Sequence, residues 1–290
     1  MSAKTHRNNP YKDIYKPKRS GRQLTTILIV AIIVLTIGCL WGARRLRSNN
    51  DEINPPINAK VNELTQVIMP EGTPAQAKEY KGFTVNFNTS NRTPNYVCWE
   101  LLGTETDGSS SRAHEKFWQD EEIKNCPKTS DYTHSGYDRG HLYPAADAKW
   151  DAESMSQCFS MANISPQVHA LNAGAWKTLE DKERLWAKRD SAIIIIAGPI
   201  YQSEDKLRIG QAGVRVPSAY FKVLLAPYVD NPRAIAFVYP NEQCPGNMQN
   251  YSQSVDYVES ITGFDFFSSL PDEIENKIES TYSFKEWNKR

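Results

Sequence analysis

The chain has 290 residues, with 34 Lys and Arg balancing 34 Asp and Glu, seven Trp and fourteen Tyr. That aromatic content excludes a disordered polymer, and the length allows one or two domains. The neutral total hides a division: residues 1–50 hold ten bases and one acid, so residues 51–290 keep 24 bases and 33 acids, net −9. A domain that relies on bulk attraction to phosphates is basic. Any nucleic-acid site here must therefore be a local patch, with a bound metal ion adding positive charge.

Residues 24–42 read LTTILIVAIIVLTIGCLWG, nineteen residues without a charge. This is long enough to cross a bilayer as a helix and lacks the polar period of a soluble helix. The apolar run is longer than a cleaved signal needs, and Trp41 stands where a cleavage site has small residues. An uncleaved anchor is the favoured reading, with lipidation at Cys39 as the lesser one. Seven Lys and Arg precede the segment and three follow it closely. Residues 1–23 are thus expected in the cytoplasm and the globular part on the outer, periplasmic or extracellular side. Residues 43–79, with Pro55, Pro56, Pro70 and Pro74, read as a linker, and the globular domain is expected over 80–285. Cys98, Cys126, Cys158 and Cys244 remain in the exported part. They permit two disulfides, in three pairings, or buried free thiols. No C-x-x-C pair suggests zinc.

Phe83–Phe87 alternates apolar and polar residues as a half-buried strand does, and Tyr96–Leu102 is a second strand. Residues 103–135 are polar and loop-like, with a short helix expected around Glu115–Ile123. Ile193–Ile196, before Gly198-Pro199, predicts a buried strand, and Phe221–Leu225 and Ala234–Tyr239 predict two more. Val255–Thr262 and Leu270–Ser280 read as helices. Asp272 and Glu273 follow Pro271 in the first turn of the latter, where negative charge suits the helix dipole. Strands mixed with a few helices, without βαβ alternation, predict an α+β fold around a largely antiparallel sheet.

Residues 137–180 carry the chemistry. Asp138-Arg139-Gly140-His141 packs an acid, a guanidinium and an imidazole into four residues. Asn163 and Asn172 lie in an otherwise rather apolar stretch, and Asn172 opens a helix-like run through Trp176, Leu179 and Glu183. Hydrolysing a phosphodiester needs a base for water, charge stabilisation at the phosphoryl group and help for the leaving oxygen. His141 titrates in the right range to be the base, and a hard cation held by oxygen can do the rest. Glu180 lies roughly 12 Å beyond Asn172 along a continuous helix, too far to share an ion directly; it would act through a bound water or a bent helix. Singly each residue has a plainer reading: a structural His, an Asn cap, a solvated Glu, a surface Arg. Their joint occurrence is what counts.

The segment resembles the DNA/RNA non-specific endonuclease family of endonuclease G type, whose catalytic unit is a ββα-metal finger. The match runs through Asp138-Arg139-Gly140-His141-Leu142, Asn163-Ile164-Ser165-Pro166-Gln167, Leu171-Asn172-Ala173-Gly174-Ala175-Trp176 and Leu179-Glu180. Weaker similarity extends over roughly residues 80–285. The resemblance implies His141 as the general base and Asn172 as the only direct protein ligand of one Mg²⁺, with Mn²⁺ compatible. Glu180 would hold one of that ion's waters, Asn163 would support the geometry, and Arg139 would contact phosphate or brace its loop. Arg112, followed by Phe117 and Asp120, is the best match to an upstream arginine that stabilises the phosphoryl transition state. The implied function is cleavage of DNA and/or RNA to 5′-phosphate and 3′-hydroxyl ends, and a homodimer is compatible with it. No base-reading element is evident, and backbone contacts alone give little sequence preference. Two rival readings are a metal-dependent phosphodiesterase for small or lipid phosphodiesters and a non-catalytic surface nucleic-acid binder.

Overall fold

The computed structural model describes residues 55–289, and within them the apolar runs read above become strands of one sheet. The chain forms α1 (Val61–Leu64), β1 (Val67–Ile68), β2 (Gln76–Tyr80), β3 (Phe83–Asn88) and β4 (Thr93–Leu102). After a long connection come β5 (Asp138–His141), α2 (Ala152–Cys158), β6 (Ile164–Gln167), α3 (Lys177–Asp190) and β7 (Ala192–Ile200). The remainder is β8 (Arg208–Ile209), β9 (Val214–Arg215), β10 (Ala219–Ala226), β11 (Arg233–Pro240), β12 (Ser252–Gln253), α4 (Val255–Thr262), β13 (Asp265–Phe266), α5 (Asp272–Ser280) and α6 (Phe284–Trp287). The main sheet has seven strands in the order β12-β11-β10-β7-β4-β3-β2, with every neighbouring pair antiparallel. The α+β expectation holds, and the two C-terminal helices lie where the sequence put them.

β7 and β10 are buried at every position, because both faces of the sheet are covered. Side chains alternate between those faces. Phe221 of β10 meets Phe264 and Phe266, beyond the end of α4, on one face. Its neighbour Lys222 turns to the opposite face, beside Trp99 and Trp176, and places its ammonium 2.7 Å from Glu183 of α3. Both members of this pair are 0% exposed. Such a pair sets position more than it adds stability, because desolvation offsets most of the attraction.

Two expectations need correction, and one left open is decided. The linker read over 43–79 is folded from about residue 57: Ile57 donates its N–H to the Pro227 carbonyl, Leu64 is fully buried, β1 pairs with β13, and β2 is an outer strand of the main sheet. β2 was hidden because it is half-exposed along its length and carries Lys78 and Glu79, as edge strands commonly do. The helix expected at Glu115–Ile123 is absent. That stretch is held instead by buried Asp120, whose carboxylate accepts from Lys78, from Tyr80 and from the Glu122 N–H. The four described cysteines are free thiols, three of them buried, and no disulfide joins them. No helix among the described residues is long and apolar enough to cross a membrane. The expected anchor, residues 24–42, lies outside them, as do the basic tail and Cys39.

Lys222→Met leaves the Glu183 carboxylate buried without its partner and is expected to cost about 3–5 kcal/mol. Lys222→Met with Glu183→Leu is expected to recover most of that loss. Urea unfolding of both variants checks it; equal losses in the single and double variants would show that shape, not charge, governs this position.

Candidate functional site

β5 and β6 form a two-stranded ribbon outside the main sheet, with Asp138 opposite Gln167, Gly140 opposite Ser165 and His141 opposite Ile164. A Cβ on Gly140 would sit 2.2 Å from Oε1 of buried Gln167. Glycine is therefore required by a close approach, not by backbone angles. Asn163, fully buried, locks the chain just beyond His141. Its Oδ1 accepts from the Tyr143 N–H at 2.9 Å, and its Nδ2 donates to the Tyr143 and Cys158 carbonyls at 2.9 and 2.8 Å. The Leu142 N–H donates to the Asn163 carbonyl, which extends the ribbon pairing by one rung.

His141 is flanked by the rings of Phe159 and Phe117, with centroids 4.9 and 5.3 Å away. Burial, and then the field of the Arg112 guanidinium, push its pKa down to about 3, so the imidazole is neutral at neutral pH. Its Nε2 makes no hydrogen bond. Arg112 is exposed and rests over the Phe159 ring. Arg139 donates to the Thr129 carbonyl at 2.7 Å and to the Thr133 hydroxyl at 3.3 Å, and lies over Phe117 and Tyr132. It braces the 129–133 turn against the strand that carries His141.

Asn172 does not open a regular helix. It lies in a wide π-type turn, Leu171–Trp176, broken at Gly174 (φ −106°, ψ −110°), after which α3 begins. The straight-helix distance between Asn172 and Glu180 therefore does not apply, and both side chains reach the same cleft. Asn172 donates from Nδ2 to Asp138 Oδ2 at 2.9 Å, and His169 Nδ1 lies 2.8 Å from the same oxygen. That carboxylate fixes the amide with its Oδ1 on the opposite branch, free to serve as a ligand. The acidic partner was in view in the sequence, but its role as the orienter of Asn172 was not.

Behind Glu180 lies a charge cluster. Glu183 pairs with Lys222, and Arg184 donates to fully buried Asp147 at 2.8 Å. Trp99 Nε1 donates to the same Asp147. Burial pushes the Glu180 pKa up to about 8, with Glu183 and Asp147 adding to the rise against Lys222 and Arg184. Three acids facing two bases leave one negative charge that only a proton or a cation can balance. The available donors, an amide oxygen and a carboxylate, are hard oxygen ligands, so they fit a magnesium-class ion.

These elements enclose a cleft of about 720 Å³ lined by Arg112, Arg139, His141, Asn172 and Glu180. Of the residues singled out from sequence, only Asn163 is not on its wall; it stands behind, as a support. The wall also holds Asp138, Lys149, Lys177, Asp181 and Arg184. Lys177 and Arg184 are paired with Asp181 and Asp147, so the cations facing the cleft without a carboxylate partner among the described residues are Arg112, Arg139 and Lys149.

Comparison with known proteins places the chain in a family. The family model described as DNA/RNA non-specific endonuclease matches residues 60–273. The chain is 34% identical over 217 residues to the mitochondrial nuclease EXOG of Xenopus laevis, covering 68% of this chain and 60% of that one. It is 31% identical to mitochondrial nuclease 1 of Schizosaccharomyces pombe, covering 69% of this chain and 68% of that one. The chain thus spans under two thirds of the Xenopus relative. In fold it resembles the crystal structure of an EndoG/EndoGI complex, with a TM-score of 0.65 and 24% identity, covering 74% of this chain and 95% of that chain.

Gly140→Ala forces the new methyl against Gln167, and overpacking of this kind costs about 1–3 kcal/mol. Chemical denaturation should show that loss. An unchanged midpoint would mean that Gln167 swings aside freely.

Proposed function

The chain belongs to the DNA/RNA non-specific endonuclease family, and on that premise we propose that it hydrolyses internal phosphodiester bonds of DNA, RNA or both without reading sequence. The observation that carries this reading is the convergence, on one cleft, of a neutral imidazole, an oriented amide, a half-buried carboxyl group and an exposed guanidinium. In the proposal His141 takes the proton of the attacking water. Its uncommitted Nε2 and suppressed charge keep it ready to accept. A phosphodiester in the cleft offsets the Arg112 field and so raises the proton affinity of His141 when it is needed. Arg112 stabilises charge on the phosphoryl oxygens. Arg139 and Asn163 hold the His141 strand in place, and Asp138 aims Asn172.

Asn172 Oδ1, with Glu180 behind it, would hold a magnesium ion, or manganese in its place. Bound there, the metal supplies positive charge to the phosphoryl and leaving oxygens. The products of the proposed reaction are 5′-phosphate and 3′-hydroxyl ends. Contacts confined to phosphate and sugar give no sequence preference. The net −9 of residues 51–290 favours one alternative, a small phosphodiester as substrate; relative turnover of long DNA, RNA and a small diester separates the two. Residues 24–42 we propose as the membrane anchor of this domain, checked by whether the chain resists alkaline extraction from membranes.

Magnesium-dependent digestion of mixed nucleic acids, abolished by EDTA, is the primary test. His141→Ala is expected to slow cleavage by about 10²–10⁴-fold while the variant still folds, as circular dichroism would show. If the purified variant cuts at the wild-type rate, His141 is not the base. Asn172→Ala should move the magnesium titration to higher concentration, and an unmoved curve would contradict its ligand role.

A pH prediction follows from Glu180. Its folded pKa of about 8 lies above the ordinary carboxyl value, so the metal-free fold binds the extra proton. The sign follows: stability falls as pH rises from the ordinary carboxyl range through about 8. A cation that needs the ionised form must displace that proton. At pH 7, magnesium binding is expected to release close to one proton, and the release should vanish above about pH 9 and in Glu180→Gln. Calorimetry in buffers of different ionisation enthalpy measures it; no buffer dependence at pH 7 would refute it.

A further inference from the structure

A second group of oxygen ligands lies outside the cleft. Asp256 and Glu259 stand one turn apart on α4, and Glu279 reaches them from α5. One carboxylate oxygen from each lies within 4.8 Å of the other two. Such close approach of three acids is costly unless something positive sits among them. No basic side chain does so: the charges that act on Glu279 are those of Glu259, Glu275, Asp256 and Asp265, all acids. Nor does a hydrogen bond explain the arrangement. Glu279 is 6% exposed, and its Oε1 has no partner. Only Glu259 is otherwise engaged, accepting from the Phe266 N–H at 2.9 Å through Oε1. A buried carboxyl oxygen left unpaired calls for a partner, and beside two further carboxylates a cation is the partner that also offsets their charge.

We propose that Asp256, Glu259 and Glu279 bind a calcium ion that ties α5 to α4. Calcium takes six to eight oxygens at about 2.3–2.6 Å in flexible geometry, so it can gather three carboxylate oxygens that already lie within 4.8 Å of one another with small side-chain adjustments. Magnesium demands a strict octahedron at about 2.0–2.1 Å and usually takes only one or two carboxylates. The remaining calcium ligands are water on the exposed Asp256 side. Burial and the acidic neighbours push the Glu279 pKa up to about 9, which is the response of the same group when a proton substitutes for the metal. The site is structural: it joins α5 to α4 and includes none of the cleft residues.

The test uses the full-length chain, with calcium alone as the probe and melting temperature as the readout. Calcium at about 100-fold above its Kd should raise the melting temperature by roughly 5 °C or more. The rise should persist in Asn172→Ala, which disables the cleft, and disappear in Glu279→Gln. Glu279→Gln keeps the shape, removes a charge the fold does not balance, and should leave nuclease activity unchanged. Should it fail to fold, Asp256→Asn at the exposed corner is expected to weaken calcium binding at least tenfold by calorimetry. Absence of a calcium shift in the wild type overturns the proposal. So does an equal shift in wild type and Glu279→Gln, or in wild type and Asp256→Asn. A shift lost only in Asn172→Ala assigns the calcium to the cleft and overturns it as well.

Discussion

The buried pair of Lys222 and Glu183 is the contact on which the cleft depends. Two charges with no water around them tolerate little displacement, because separation exposes each to the full cost of desolvation. The pair therefore fixes the rotation and height of α3 against the centre of the sheet. Glu180 lies one turn before Glu183, so the same constraint delivers its carboxyl to the cleft. Arg184, next in the chain, reaches Asp147 and ties the helix to the connection beyond His141. Strand, helix and loop are thus brought into register by charges that have nowhere else to go.

On that platform the reactive groups are aimed by a ring of supports. Asn163 uses both ends of its amide on the backbone that follows His141, and Asp138 uses one oxygen to hold the Asn172 amide. Arg139 spans from the ribbon to the 129–133 turn. None of these needs to meet a substrate to matter, since a positional error of about half an ångström at the supports becomes a misplaced ligand in the cleft. The kink at Gly174 belongs to the same design. A straight helix from Asn172 would carry Glu180 away along its axis; the broken turn keeps both on one wall.

Much of this was legible from residue patterns. Fully apolar or alternating runs such as Ile193–Ile196 and Phe221–Leu225 became strands because burial dominates their energetics. The compound of His141, Asn163, Asn172 and Glu180 located the cleft, since few structural roles require that set at that spacing. What stayed hidden was settled by distant partners. β2 pairs with β3 through its backbone, and its charged Lys78 and Glu79 mask the strand. The stretch around Asp120 lost its helix to bonds with Lys78 and Tyr80, about forty residues earlier. The π-type turn leaves no periodic trace, and the acidic triangle joins α4 to a residue twenty positions further on.

The unbridged thiols carry a practical meaning. Burial pushes the Cys98 and Cys126 pKa values to about 12, so neither is present as the reactive thiolate at neutral pH. The fold of the described residues thus draws no stability from a disulfide, and thiol reductants find nothing in it to cleave.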